Sequence, residues 1–260
     1  MRSRSDVFDH RRRLTGAMIA IDHLSRPGRL HDVSFEARPG RVTGFLGPNG
    51  AGKTSTLRVL LGLDRARSGT ALLSGRRYAE WPRPLTVAGA LLDGSGAHRA
   101  RSARGHLRWL AASNGLPRSR VDEVLALVGL TDDARKRAGR FSLGMGRRLG
   151  LAAALLGDPP VLVLDEPVNG LDPAGIRWMR EFLRSSADEG RTVLLSSHLM
   201  GELAGIADDV VIIDRGRVVA RGSVAEVTAE HATLEDAFFA LTSGRSPQGS
   251  EVTRGEPRPW

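Results

Sequence analysis

Cysteine is absent from the 260 residues of this chain. That excludes disulfides, thiolate nucleophiles and cysteine-ligated metal centres. Lysine is almost absent: of 38 basic residues, only Lys53 and Lys136 are lysine. Aromatic residues make up 5% of the chain, too few to build the stacking platforms that single-stranded nucleic acid requires. The formal net charge is +9, yet the arginines are dispersed rather than gathered into a stripe, so nucleic acid is not an expected partner. No apolar run approaches the ~20 residues that cross a bilayer. The opening stretch "MRSRSDVFDHRRRL" is basic but has no apolar segment behind it, so it does not read as a secretory leader. These absences point to a cytosolic chain. Its 41% hydrophobic content suffices for one large domain or two small ones.

What is present falls into an ordered pattern. Strand-like runs come in two groups: "MIAID", "DVSFEA" and "RVTGFLG", then "VLVLDEP", "RTVLLSSH", "DDVVIID" and "GRVVARG". The runs "VLVL" and "TVLLSS" are apolar on both faces, as buried parallel strands are. The last two strands meet at "DRGR", a hairpin turn. Between the groups, residues 102–156 are helical in pattern, with Val121, Val124, Leu125 and Val128 at helical spacing. The layout predicts an α/β fold with a helical insert. Residues 1–16 are polar and basic, and 243–260 are rich in Pro, Gly and Ser; both read as disordered tails.

The first chemical motif is "GPNGAGKT", Gly47, Pro48, Asn49, Gly50, Ala51, Gly52, Lys53 and Thr54, which fits G-x-x-x-x-G-K-[ST]. An apolar strand enters it and a helical run leaves it. Backbone N–H groups in such a loop cradle phosphate oxygens. Lys53 is placed to meet the β- and γ-phosphates and Thr54 to bind Mg²⁺, with Ser55 near the α-phosphate. A carboxylate pair, Asp165 and Glu166, follows "VLVL" at the strand's carboxyl end, where open α/β sheets bind ligands. Asp165 is the candidate for the Mg²⁺ shell and Glu166 for the general base; a solvated turn is the competing explanation. His198 ends "TVLLSSH" at the same edge, which favours a role near the γ-phosphate over a purely structural one.

A second stretch, "FSLGMGRRLGLAAALLGDPP", sets a Ser/Gly turn at the start of an Ala/Leu helix that stops at Gly-Asp-Pro-Pro. Free N–H groups and the helix dipole at that turn favour an anion. Taken alone, this stretch favours a plain helix cap at Ser142, contributing about 1 kcal/mol.

In this order, "GPNGAGKT", "FSLGMG", "VLVLDEP", "NGLDP" and "SSH" make the chain similar to ATP-binding-cassette ATPases over residues 18–241. In detail it resembles the ATP-binding subunits of daunorubicin- and bacitracin-resistance exporters. The resemblance implies a P-loop NTPase with a RecA-like core, a small antiparallel β subdomain and an α-helical subdomain at about 94–156, together spanning 17–242. It implies ATP and Mg²⁺ as cofactors. It also implies a head-to-tail dimer of two copies, in which Ser142 and Gly144 reach the γ-phosphate of the partner's ATP and Asp172 of "NGLD" links the two sites. A separately encoded multi-span permease would hold the dimer at the cytoplasmic face of the membrane. Two rival readings are a soluble cassette ATPase of translation or DNA repair and a nucleotide-binding scaffold with little turnover.

The chain departs from the family in three places. "IDHLSRPGRLHDVSF" lacks the aromatic residue that stacks on adenine, leaving His23 or Arg26 as replacements. Asp93 occupies the place of a glutamine that touches Mg²⁺ and the attacking water, and is the third candidate metal-site residue. Leu143 and Met145 replace Gly and Gln in the signature turn. The segment 93–106 is either a plain surface loop or, by resemblance, the receiver of a helix from the permease.

Overall fold

The structure is a computed structural model and describes residues 18–92, 96–198, 200–203 and 205–243. Asp93 and both tails, apart from Ser243, lie outside the described residues. Two sheets organise the chain. The larger has six strands, which follow one another across the sheet as Ala88–Leu91 (β5), Val161–Asp165 (β6), Thr192–Ser197 (β7), Val42–Leu46 (β3), Asp209–Asp214 (β8) and Arg217–Ser223 (β9). All neighbours are parallel except β9, which runs back along β8 through a turn at Arg215 and Gly216, both at positive φ. That turn is the hairpin expected at "DRGR". The smaller sheet is antiparallel and consists, in spatial order, of Leu30–Ala37 (β2), Ile19–Arg26 (β1) and Ser68–Leu73 (β4).

The apolar runs predicted as buried strands are buried throughout: every residue of β3, β6 and β7 is shielded from solvent. Alternation divides them between two cores. Leu162 and Leu164 of β6, Val193 and Leu195 of β7 and Val210 and Ile212 of β8 face one core. Val161, Val163, Leu194, Val211 and Ile213 face the other. This two-sided burial is the reason the runs do not alternate with polar residues.

The second of these cores holds α1 Lys53–Leu60 between the two sheets, with Phe35 and Phe45 in ring contact at 5.0 Å. The first takes in the helical insert: α2 Ala103–Ser113, α3 Ser119–Leu127 and α4 Leu143–Leu155. It also takes in α5 Pro173–Asp188. Val121, Val124, Leu125 and Val128, the residues at helical spacing, are all buried in it. His106 of α2 is buried as well, and burial, reinforced by the charge of Arg101, pushes its pKa below the usual imidazole value. Three short helices close the described chain: α6 Met200–Leu203, α7 Val224–Thr228 and α8 Leu234–Ser243. α7 carries a full capping box between Ser223 and Glu226.

Strands β4 and β5 are not among the strands that the sequence predicts. "SGTALL" begins with three polar or glycine residues, and "AGAL" is four residues long; neither presents a long apolar run. β5 is specified instead by what it touches. A Cβ on Gly89 would run into the backbone of Ala154 in α4. The edge strand therefore seats the helix that carries the Ser/Gly turn. Gly89→Ala is expected to destabilise the fold by roughly 1–3 kcal/mol through overpacking, lowering Tm by about 2–4 °C per kcal/mol in a chain of this size. Thermal denaturation against wild type checks this; an unchanged Tm would show that the strand and helix are not in contact.

Candidate active site

The phosphate loop connects β3 to α1 and lies at the carboxyl edge of the parallel strands. Its conformation needs glycine where the helix begins. Gly52 is the N-cap of α1 at φ 113, a region closed to other residues, and a Cβ there would lie 2.8 Å from Leu30 Cδ2. The helix start carries no side-chain cap and no acidic residue in its first turn. The first N–H groups of a helix have no acceptor within it, so this end is open to an anion.

Lys53 is 6% exposed, and its ammonium donates to Gly47 O at 2.6 Å and Pro48 O at 3.4 Å. Its nearest carboxylate oxygen is Glu166 Oε1 at 3.6 Å. A buried cation whose closest contacts are neutral carbonyls leaves positive charge available to a ligand. The pocket in front of it has a volume of about 320 Å³ and is lined by residues of the loop and α1, among them Asn49, Gly50, Thr54 and Ser55, and by Asp165, Glu166 and Asn169.

The carboxylates are positioned by β7. Asp165 is 4% exposed; one carboxylate oxygen accepts from Thr54 Oγ1 at 2.7 Å and the other from the Ser196 hydroxyl. Thr54 and Asp165 thus present two oxygen donors side by side, the kind a hard divalent cation takes. Among the described residues no cluster of three or more His, Asp or Glu forms a protein cage for a metal, so any such ion would draw its other ligands from a bound phosphate and water. Glu166 adopts φ 48, a left-handed conformation costing roughly 1 kcal/mol for a non-glycine residue. Its N–H is held by Ser196 Oγ at 3.0 Å and Ser196 O at 3.2 Å. Its side chain meets His198 Nδ1 at 2.8 Å and Asn169 Nδ2 at 3.5 Å.

The structure therefore gathers Lys53, Thr54, Ser55, Asp165, Glu166 and His198 at one edge. It does not bring Ser142, Gly144 or Asp172 to the walls of this pocket. Ser142 is exposed and caps α4, accepting from Met145 N at 3.2 Å, while Asp172 caps α5, accepting from Gly175 N at 2.8 Å. His23 and Arg26, the candidate replacements for the missing aromatic, are engaged elsewhere. His23 Nδ1 pairs with Asp32 at 2.5 Å and Arg26 Nη1 with Asp64 at 2.7 Å, and neither lines the pocket. Arg29 lines it instead.

Sequence reasoning misses Arg29, Arg147, Asn169 and Ser196. Ser196 leaves a trace, one of three hydroxyl residues in the run "TVLLSS", and it is completely buried. The others depend on tertiary packing. A larger cavity of about 640 Å³ lies between the small sheet and β8–β9, away from these groups. Its charges are largely satisfied within its walls: Arg41 is bound to Asp209, Arg221 to Ser34 O and Glu226 to Ser223.

Ser196→Ala removes one partner from a buried carboxylate and another from the strained Glu166 N–H. A loss of roughly 1–3 kcal/mol is expected, measured as a shift of the denaturant midpoint; an unchanged midpoint would mean Ser196 does not hold the pair.

The ABC transporter family model matches residues 30–169. The ABC transporter ATP-binding protein YhcH of Bacillus subtilis is 39% identical over 213 residues, covering 81% of this chain and 69% of the relative. The bacitracin transport ATP-binding protein BcrA of Bacillus licheniformis is 39% identical over 210 residues, 80% of this chain and 66% of the relative. The chain thus spans about two thirds of the length of these two proteins. Among solved structures, one described as the ATP binding subunit of an ABC transporter superposes with a TM-score of 0.79 at 27% identity, covering 86% of this chain and 99% of that one. With a phosphate loop gathered beside the Thr54–Asp165 and Glu166–His198 pairs, the chain belongs to the ABC transporter family as an ATP-binding ATPase subunit.

Proposed function

We propose that this chain is the ATP-hydrolysing motor of a membrane exporter, working as a head-to-tail dimer of two copies beneath a separately encoded multi-span permease. The observation that carries the ATPase part is the buried Lys53 ammonium, held on the carbonyls of its own loop and facing the Thr54–Asp165 pair. Phosphoryl transfer needs positioning and charge neutralisation rather than covalent help. Lys53 and the open N-terminus of α1 hold the phosphates. Thr54 and Asp165 are the residues that would hold Mg²⁺, which when bound neutralises the β- and γ-oxygens. Glu166 accepts the proton of the attacking water, and His198 fixes the carboxylate through Nδ1 at 2.8 Å.

The dimer is supported by α4. Gly144 and Gly146 cost that helix about 1 kcal/mol each relative to alanine, yet among the described residues nothing demands them. A Cβ on Gly144 would make ordinary contacts at 3.6 Å with Gly170 O and Leu171, and one on Gly146 would meet nothing within 4 Å. Ser142 and Leu143 beside them are exposed, Leu143 to 63%. A glycine-lined, exposed helix N-terminus that does not serve its own pocket suits the close approach of another copy's nucleotide. Asp172, at the neighbouring N-cap, lies on the loop that would link the two sites. Similarity to the bacitracin transport protein supports export of an antibiotic or another hydrophobic compound. The reading assigns the transport path to the permease; among the described residues no helix is long and apolar enough to cross a membrane.

Lys53→Ala is expected to abolish ATP turnover and weaken ATP binding at least tenfold, followed by phosphate release and equilibrium binding; retained activity would mean the loop does not hold the phosphates. Glu166→Gln should trap a dimer with saturating Mg-ATP, seen as a doubled mass in sedimentation. Adding Ser142→Arg should return the protein to a monomer that still binds ATP. A Glu166→Gln chain that stays monomeric, alone and with its permease, defeats the shared-site reading.

A further inference from the structure

We infer that Arg147 binds the terminal phosphate of the nucleotide held by its own chain, so that α4 serves two nucleotides from two of its faces. The inference rests on the proposed nucleotide site and extends it. Arg147 lines the 320 Å³ pocket together with Thr54, Asp165 and Glu166. It comes from the same helix whose N-terminus is capped by Ser142 and exposed. The two lie five positions apart, about 7.5 Å along the axis and about 140° around it. Ser142 and Arg147 therefore occupy different faces, and of the two only Arg147 reaches the pocket of its own chain.

Two observations mark Arg147 as waiting for an acceptor. Its Nε is buried and has no hydrogen-bond partner. Among the described residues no carboxylate lies within ion-pair distance of it. A buried donor on a charged group is costly to leave unsatisfied, and a guanidinium fork matches phosphate oxygens in geometry. The side chain is braced at one point, where Nη1 donates to Leu92 O at 3.1 Å. The charge inventory agrees. The pocket already contains Asp165 and Glu166, and with a triphosphate the negative charge exceeds what Lys53, Arg29 and one divalent cation neutralise. An additional fixed cation at the hydrolysed end meets that excess where the phosphoryl group departs.

The consequence is a link between sites. With a γ-phosphate present, the guanidinium holds both Leu92 O and the phosphate and ties α4 to its own pocket; with a diphosphate it keeps only the bond to Leu92 O. The position of Ser142 and Gly144, at the exposed start of the helix, is thereby tied to the state of the nucleotide in the same chain.

The test uses the full chain and compares Arg147→Ala and Arg147→Lys with wild type. Equilibrium binding of Mg-ADP and of a non-hydrolysable Mg-ATP analogue is measured for each. Arg147→Ala should weaken the triphosphate analogue about tenfold or more while leaving ADP within about twofold. Arg147→Lys, which keeps the charge and loses the fork, should fall between. A structural role alone would weaken both nucleotides together or lower stability without changing their ratio, and either outcome overturns the assignment. Wild type that discriminates between the nucleotides, with Arg147→Ala discriminating equally, also overturns it while leaving the phosphate-loop reading intact. Wild type that binds neither nucleotide refutes both.

Discussion

The Asp165 carboxylate is the point on which the site depends. It ends β6, accepts a hydrogen bond from Thr54 in the first turn after the phosphate loop, and accepts another from Ser196 on β7. Three segments far apart in sequence are thereby fixed at one edge. The sheet order makes this possible: β7 lies between β6 and β3, so the loop leaving β3, the carboxylates leaving β6 and the histidine leaving β7 emerge side by side. A buried carboxylate is tolerated because hydroxyl donors satisfy both of its oxygens. Ser196 has a second role, holding the N–H of Glu166 in a left-handed conformation. Strain at one residue is maintained by two hydrogen bonds to another.

The signature helix is built with a different compromise. Its lower half is ordinary core, with Leu149, Leu151, Ala152 and Leu155 buried against the helical insert and the sheet. Its upper turn holds two glycines that no contact among the described residues requires, and a leucine, Leu143, that is largely exposed although it packs on Gly170. Stability is thus concentrated at one end and sacrificed at the other. A segment retained at some cost and left exposed is the pattern expected of a surface shaped for a ligand outside the chain.

The parts of this fold legible in the sequence are those specified by local chemistry. "VLVLD" and "TVLLSS" are apolar on both faces because both faces are buried, and that burial is written into composition. The phosphate loop is legible because a glycine-rich turn before a helix has few other uses. β5 is not legible: four residues of "AGAL" become a strand only because β6 lies beside them and α4 packs on Gly89. Ser142 remains ambiguous in sequence for a physical reason, since one hydroxyl can accept from a backbone N–H as a cap and also donate its own proton to an external phosphate. In the single chain it is a cap. Arg29 and Arg147 are two among many arginines, and only the tertiary arrangement separates them from those bound to nearby carboxylates, such as Arg184 with Asp208 and Arg58 with Asp64.

The helical insert and the sheet form one mechanical unit at the site. Arg147 donates to Leu92 O just beyond β5, while Gly89 within β5 presses on α4 at Ala154. Helix and edge strand are therefore fastened at two points, one polar at the pocket and one steric at the base. A pull on α4 at the pocket is transmitted to the chain leaving β5, because close-packed backbone without an intervening side chain leaves little slack. A motor subunit must convert a change of one phosphate into a displacement elsewhere. If Arg147 holds the terminal phosphate as inferred, the bond from its guanidinium to Leu92 O gives such a change a direct polar connection from the pocket to the end of β5.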